Sequence, residues 1–178
     1  MTLFSPELAI QIKEETKTKS SYLSPSKIEG ETILRFFGEG IHGWEAWAEE
    51  DGKKHPVRWA KRPETLPETI RQEKGKSPLK KFIAAVCYDY TDQEFKLFSA
   101  TQATVITAIM DLAGNKAWGD PATYDLMVRK EGKDLLTKYT VLPQPKESVP
   151  APLAKEYAAL GWNLQALYDN EDPFGAAA

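Results

Sequence analysis

Three observations predict a mainly β domain, a β-barrel with one internal α-helix, followed by a C-terminal helix. From Glu31 onward the chain breaks into short apolar and aromatic runs separated by Gly, Asp and Pro turn signals, as strands do. One segment between those runs, "SATQATVITAIMDLAGN", repeats its apolar residues at helical spacing. Two more strand-like runs follow it, on either side of the turn "EGKD".

Residues 1–29 are rich in Lys, Glu, Thr and Ser and have no apolar period, so they read as a flexible arm. A long bent first strand is expected over 31–48, through "TILRFF", Gly38, Gly40 and "HGWEAWAE". With the turn "EEDGKK" and the run "PVRWA", the basic segment 49–81 is expected to be an enlarged loop, or an extra hairpin, between the first and second strands of the barrel. From Lys61 to Lys81 three prolines and the absence of any period predict a long loop. Residues 82–90 and 94–99 should pair as a hairpin, the first strand apolar enough to be central. In the helical segment, Ser99 or Thr101 can cap the start and Gly114-Asn115 the end. Strands at 122–129 and 134–141 complete the set. A five-stranded barrel of the oligonucleotide/oligosaccharide-binding type places its helix between the third and fourth strands, which this order matches. The expected organisation is therefore an arm (1–29), a barrel domain (30–145), a linker and C-terminal helix (146–168) and an acidic tail (169–178).

The chain has 178 residues, 42% of them hydrophobic, enough for one core and not for two full domains. Its formal net charge is −3, so any affinity for nucleic acid has to come from local charge. No run of about eighteen apolar residues occurs, and the N-terminal apolar run is too short for a signal peptide, so a soluble cytoplasmic protein is expected. Cys87 is the single cysteine and His42 and His55 the two histidines, too few for a disulfide framework or a Cys/His zinc site. No cofactor is expected, because "GEGIHG" has neither Walker nor Rossmann spacing.

Local charge is concentrated. Residues 51–81 hold ten Lys or Arg against four acids. Such a cluster binds phosphate backbones by releasing counterions, without regard to base identity. Trp44, Trp47 and Trp59 lie in or beside it, and Tyr88 and Tyr90 share one face of the central strand. Bases of a single strand stack on such rings at about 1–3 kcal/mol each. Trp44 and Trp47, three apart, point to opposite strand faces, so Trp59 in "HPVRWAKRP" is the favoured stacking ring. The phosphate contacts assigned to this region are Lys53, Lys54, Arg58, Lys61, Arg62, Lys74, Lys76, Lys80 and Lys81, with Arg129 and Lys130 from the last hairpin. The tail "DNEDPF" supplies Asp169, Glu171, Asp172 and Phe174, expected to be mobile, to compete for the basic groove and to dock on partner proteins.

The combination of "GWEAW", "KHPVRW", "FIAAVCYDY" and "WGDPATYDLMVRKEGKDLLTKYTVLP" resembles a group of bacteriophage single-stranded DNA-binding proteins with one modified oligonucleotide-binding barrel. The resemblance covers about residues 30–145. It implies non-specific binding of single-stranded DNA in phage replication, recombination or repair inside the bacterial host, without catalysis, and with replication and recombination proteins as partners of the tail. "EDPF" is similar to the tail ending of bacterial proteins of this activity, but Gly175 and three alanines follow it here. Two other readings remain open. Asp89, Glu94 and Lys96 resemble the carboxylates and lysine of a metal-dependent nuclease. A protein-interaction module would use the tryptophans and the helix within 150–168 as its contacts.

Overall fold

The computed structural model describes residues 21–175 and, ahead of them, Ser5, Glu7 and Leu8; the rest of the expected arm and the last three alanines lie outside the described residues. The fold is mainly β, a mixed sheet of seven strands. In chain order these are β1 (Tyr22–Leu23), β2 (Glu31–Glu50), β3 (Lys53–Trp59), β4 (Lys80–Asp89), β5 (Glu94–Ala100), β6 (Tyr124–Glu131) and β7 (Lys138–Lys146). Helix α1 (Ala103–Gly114) joins β5 to β6, and α2 (Ala151–Leu160) follows β7.

The long strand β2 organises everything else. Its first residues, Glu31 to Leu34, pair with β6, and its last, Trp44 to Glu50, pair with β3. Along its other edge it pairs with β4, from Leu34 opposite Asp89 to Glu45 opposite Lys80. That pairing breaks between Phe37 and Ile41, where Gly38 takes φ +67° and a Cβ would collide with the Tyr157 hydroxyl. Glycine therefore permits the bulge that bends the strand.

The sheet order is β1-β5-β4-β2-β6-β7 with β3 attached to β2. The sheet is unclosed, so these pairings do not by themselves make the expected barrel. The outer edge of β5 is taken in parallel by β1, Tyr22 opposite Leu97 and Leu23 opposite Phe98, and β7 forms the other end of the order. Residues 21–29, assigned to the arm, are thus part of the folded domain: Tyr22–Leu23 join the sheet, Pro25–Lys27 form a 3₁₀ turn, and Leu23 and Ile28 are buried.

Apolar side chains lie on both faces of the central strands, which explains the near-continuous apolar run in "FIAAVC". One core joins Leu34, Phe36, Cys87, Phe98, Tyr124 and Leu126 to Val105 and Ile109 of α1. The other places Phe82, Val86 and Leu97 under Leu164 and Leu167 of the C-terminal segment. Burial pushes the Cys87 thiol far above its usual range, as expected of an inert core cysteine. Two helix ends differ from expectation. Ser99 lies in the ladder opposite Ala84, so the helix starts later, with Gln102 as its uncapped first flank. The single helix expected within 150–168 ends at Gly161, φ 64°, and resumes as a 3₁₀ turn over Leu164–Asp169.

Among the described residues no helix is long and apolar enough to cross a membrane.

Candidate nucleic-acid interface

Alternation along β2 decides which tryptophan faces outward. Trp44 and Trp59 are opposite each other across the β2–β3 ladder, while Trp47 stands opposite Pro56 on the other face. Trp59 packs with Val57, Leu66 and Leu79 against a small buried cluster of Ala46, Ala48 and Ile70. The expected stacking ring is thus a half-buried packing residue, because the long loop folds back over its face. Ile70 bridges to Ala48, and the loop's backbone closes on β2 through Glu49 N to Thr69 O, 2.9 Å, and Arg71 N to Trp47 O, 2.8 Å.

Trp47 is left 47% exposed. It lines two adjoining hollows of about 310 and 500 Å³ that share Glu45, Trp47 and Thr101. Lys54, Arg71, Lys80 and Glu73 border the first, and Lys27, Arg58 and Gln102 the second. The result is an open groove with an indole between several cations. Lys27 was hidden in the presumed arm; the turn residues Pro25-Ser26 just before it were the available signal.

The assigned cations divide into groups. Lys54 and Lys80 line the groove and are exposed. Arg58 is bonded to the buried Glu45 at 2.8 Å and lies over the Phe82 ring, so its charge is already used inside the protein. Lys81 and Arg62 sit over the Trp44 ring, 5.6 and 5.1 Å from its centroid, a cation–π arrangement on the opposite face from Trp47. Lys53, Lys61, Lys74 and Lys76 are exposed, Lys53 beside the β2–β3 turn and Lys74 and Lys76 around Gly75. On the last hairpin, Arg129 makes two bonds to Glu31, and Lys130 bonds the Ser26 carbonyl at 2.5 Å. Neither is among the residues that line the hollows beside Trp47, although Ser26, which Lys130 bonds, lines the larger one.

Tyr88 and Tyr90 touch edge-to-face, 5.2 Å between centroids, at the far end of β4 from Lys80. Burial raises the phenol pKa of both; for Tyr90 the Asp125 carboxylate adds to the effect, and its hydroxyl lies 3.4 Å from that group. Between the tyrosines and the groove the sheet face is covered by the C-terminal segment.

That segment is folded, in contrast to the expected mobile tail. Pro173 is buried, its carbonyl accepts a 2.7 Å bond from Asn163 N, and Phe174 sits between Tyr22 and Trp162 at 5.2 and 4.8 Å. Asp169, Glu171 and Asp172 are exposed. Burial raises the Tyr22 phenol pKa, the Arg58 charge lowers it and the Asp172 charge raises it, so the tail's acid and the groove's arginine both act on this hydroxyl.

The residues of the nuclease reading are arranged differently from an open metal site. The Lys96 ammonium donates to Asp89 at 2.9 Å and to Asp92, and Lys96 is 6% exposed. Asp89 also accepts from Thr32 Oγ1 and Thr91 N. Desolvation lowers the Lys96 pKa, but the bonds to Asp92 and Asp89 outweigh it and raise it. A lysine so held is a buried structural cation. Among the described residues no three His, Cys, Asp or Glu side chains are grouped to hold a metal ion. Comparison of the chain with models of protein families and with curated proteins finds no match.

Proposed function

We propose that this chain binds single-stranded DNA without sequence preference and shields it during copying, recombination or repair of DNA. The observation that carries the reading is Trp47, exposed in a groove bordered by Lys27, Lys54, Arg71 and Lys80. A base stacks on the indole, and the cations follow the phosphates on either side. Base edges need no partner for this, so sequence preference is not expected. Arg71 also pairs with Glu49 at 3.1 Å, but both are exposed, and such pairs hold too weakly to keep the guanidinium from a phosphate.

The strand pairings support an oligonucleotide-binding barrel as ancestor or relative of the fold. A bent strand pairing with two others, a following antiparallel hairpin, and a helix before the last hairpin are all present. The enlarged segment between β2 and β4 then corresponds to the loop that borders the ligand in such barrels. No bond is made or broken in this function, and no cofactor takes part.

The test is binding of the full chain to a fluorescent oligothymidine, beside the matching duplex, with and without magnesium. Expected are a strong preference for the single strand, recovery of the oligonucleotide intact, and a roughly 5- to 150-fold loss of affinity in Trp47→Ala. Trp59→Ala should instead lower thermal stability and leave the affinity of the folded protein near wild type. Equal affinity in Trp47→Ala and wild type would remove the groove from the reading, and magnesium-dependent cutting would replace it with nuclease activity.

A further inference from the structure

Helix α1 carries two apolar stripes and uses one of them for the core. Val105 and Ile109 are buried beneath it. Ala103, Ile106, Thr107 and Met110 recur at i, i+3, i+4 and i+7, the spacing of a single helix face. That face borders an open hollow of about 710 Å³, in which Met110 is left 50% exposed.

The rim of the hollow is cationic. Lys80 and Lys81, both exposed at the start of β4, stand beside Thr101 and Gln102, and no acid is among the lining residues. Asp111 follows Met110 in sequence but shares its stripe of the helix with Thr104 and Ala108, turned away from the hollow's face. Glu45, opposite Lys80 in the ladder, is 6% exposed and already bonded to Arg58 at 2.8 Å. Two lysines over a floor of isoleucine and thioether suit a polyanion that carries flat apolar groups, which is the chemistry of a nucleic-acid strand. A methionine side chain adapts to the face of any base, so the floor adds no sequence preference.

Continuity with the Trp47 groove favours the strand over an acidic peptide. Thr101 lines this hollow and both hollows beside Trp47; Lys80 is shared with the smaller of those and Gln102 with the larger. Lys80 pairs with Glu45, two residues from Trp47 on the same face of β2, so Trp47 lies on the diagonal about 7–8 Å from it. From Ala103 to Met110 the helix then extends the floor by about 10 Å. Resting on the reading of the Trp47 groove as a base site, we infer that the same strand continues from the indole past Lys80 to the Ile106/Met110 face of α1. Further bases lie on Met110 there, with their phosphates on Lys80 and Lys81.

The experiment is binding of the full chain to an oligothymidine of about 16 nucleotides, the upper end of the site size of one such barrel, in low salt. Met110→Glu and Met110→Lys are compared with Leu142→Glu and Leu142→Lys, a control pair at a residue of β7 that is 40% exposed and lines none of the three hollows. Urea melting checks that each variant is folded. Met110→Glu should bind roughly fivefold or more weakly than Met110→Lys, since its carboxylate meets a phosphate, while the Leu142 pair should differ far less. Proximity is read separately with Thr107→Cys, which adds an exposed thiol to a chain whose own Cys87 is buried. An oligothymidine with a thiol tethered to one base should form a disulfide with it that unlabelled oligothymidine suppresses, and Leu142→Cys should form none. A Met110 pair that differs no more than the Leu142 pair, or a Thr107→Cys that forms no disulfide from any tether position, overturns the path along α1. If Trp47→Ala still weakens binding in that case, the groove reading stands without it. A wild type that binds no oligothymidine, or a Trp47→Ala that binds as wild type does, removes the groove reading and this path together.

Discussion

The Lys96 ammonium of the Glu94-Phe95-Lys96 stretch is folded inward onto Asp89 and Asp92. Taking it away strands a buried carboxylate with only Thr32 and Thr91 as donors. Lys96→Met should therefore cost about 3–5 kcal/mol in urea unfolding, as for other broken buried pairs, with short-oligothymidine affinity of the remaining folded protein unchanged. An equal loss of affinity would return Lys96 to the functional site. The pH dependence has a definite sign. Because the folded protein holds this ammonium more tightly than the unfolded chain does, its contribution is complete at neutral pH and is lost only as strongly alkaline solution deprotonates it. The cationic sequence neighbours of Trp59 favour it as the stacking ring; the contact of Ile70 with Ala48, between residues far apart, covers its face of the β2–β3 hairpin and leaves Trp47 on the other. Alternation in the sequence indicates that Trp44 and Trp47 point apart, but not which side stays open.

At the scale of elements, the segments with a clear local signal matched closely. β4, β5, β6 and α1 follow from apolar runs, turn residues and a helical period that act over a few residues. β1 carries no local signal, because two residues, Tyr22 and Leu23, gain their strand state only by pairing with β5. The C-terminal segment is the larger case. Its acids suggested a mobile tail, but its aromatic and apolar residues, Trp162, Leu164, Leu167 and Phe174, cover the second face of β4 and β5. Truncating it would expose that core, so loss of the tail confounds stability with affinity. Neutralising charge while keeping the anchors separates the two. The triple variant Asp169→Asn, Glu171→Gln, Asp172→Asn should keep the wild-type melting temperature within a few degrees. It should bind oligothymidine more tightly than wild type in low salt, converging with it as salt screens the tail from the groove. Equal affinities at low salt would show that the acids do not act on the groove.

For the whole molecule, the net charge is −3, while the two hollows beside Trp47 are lined by Lys27, Lys54, Arg58, Arg71 and Lys80 against Glu45 and Glu73. The cluster of ten cations in 51–81 overstates the groove, since the hairpin and the returning loop distribute them over two faces and use Arg58 inside. A chain position says nothing about which face a cation ends on when the loop that carries it turns back. The groove itself collects Lys54, Arg71 and Lys80 from the expected region and Lys27 from outside it. If each of these four neutralises one phosphate, the logarithm of the binding constant should fall against the logarithm of salt concentration with a slope of roughly −3. Replacing Lys54 or Lys80 by Gln should reduce that slope by roughly 0.7 each, whereas Arg129→Gln and Lys130→Gln should leave it unchanged. A slope near −6 or steeper, shared among all the cations of 51–81, would mean that phosphates follow the exposed loop around both faces, and that the strand's path is set by charge density and not by the indole of Trp47.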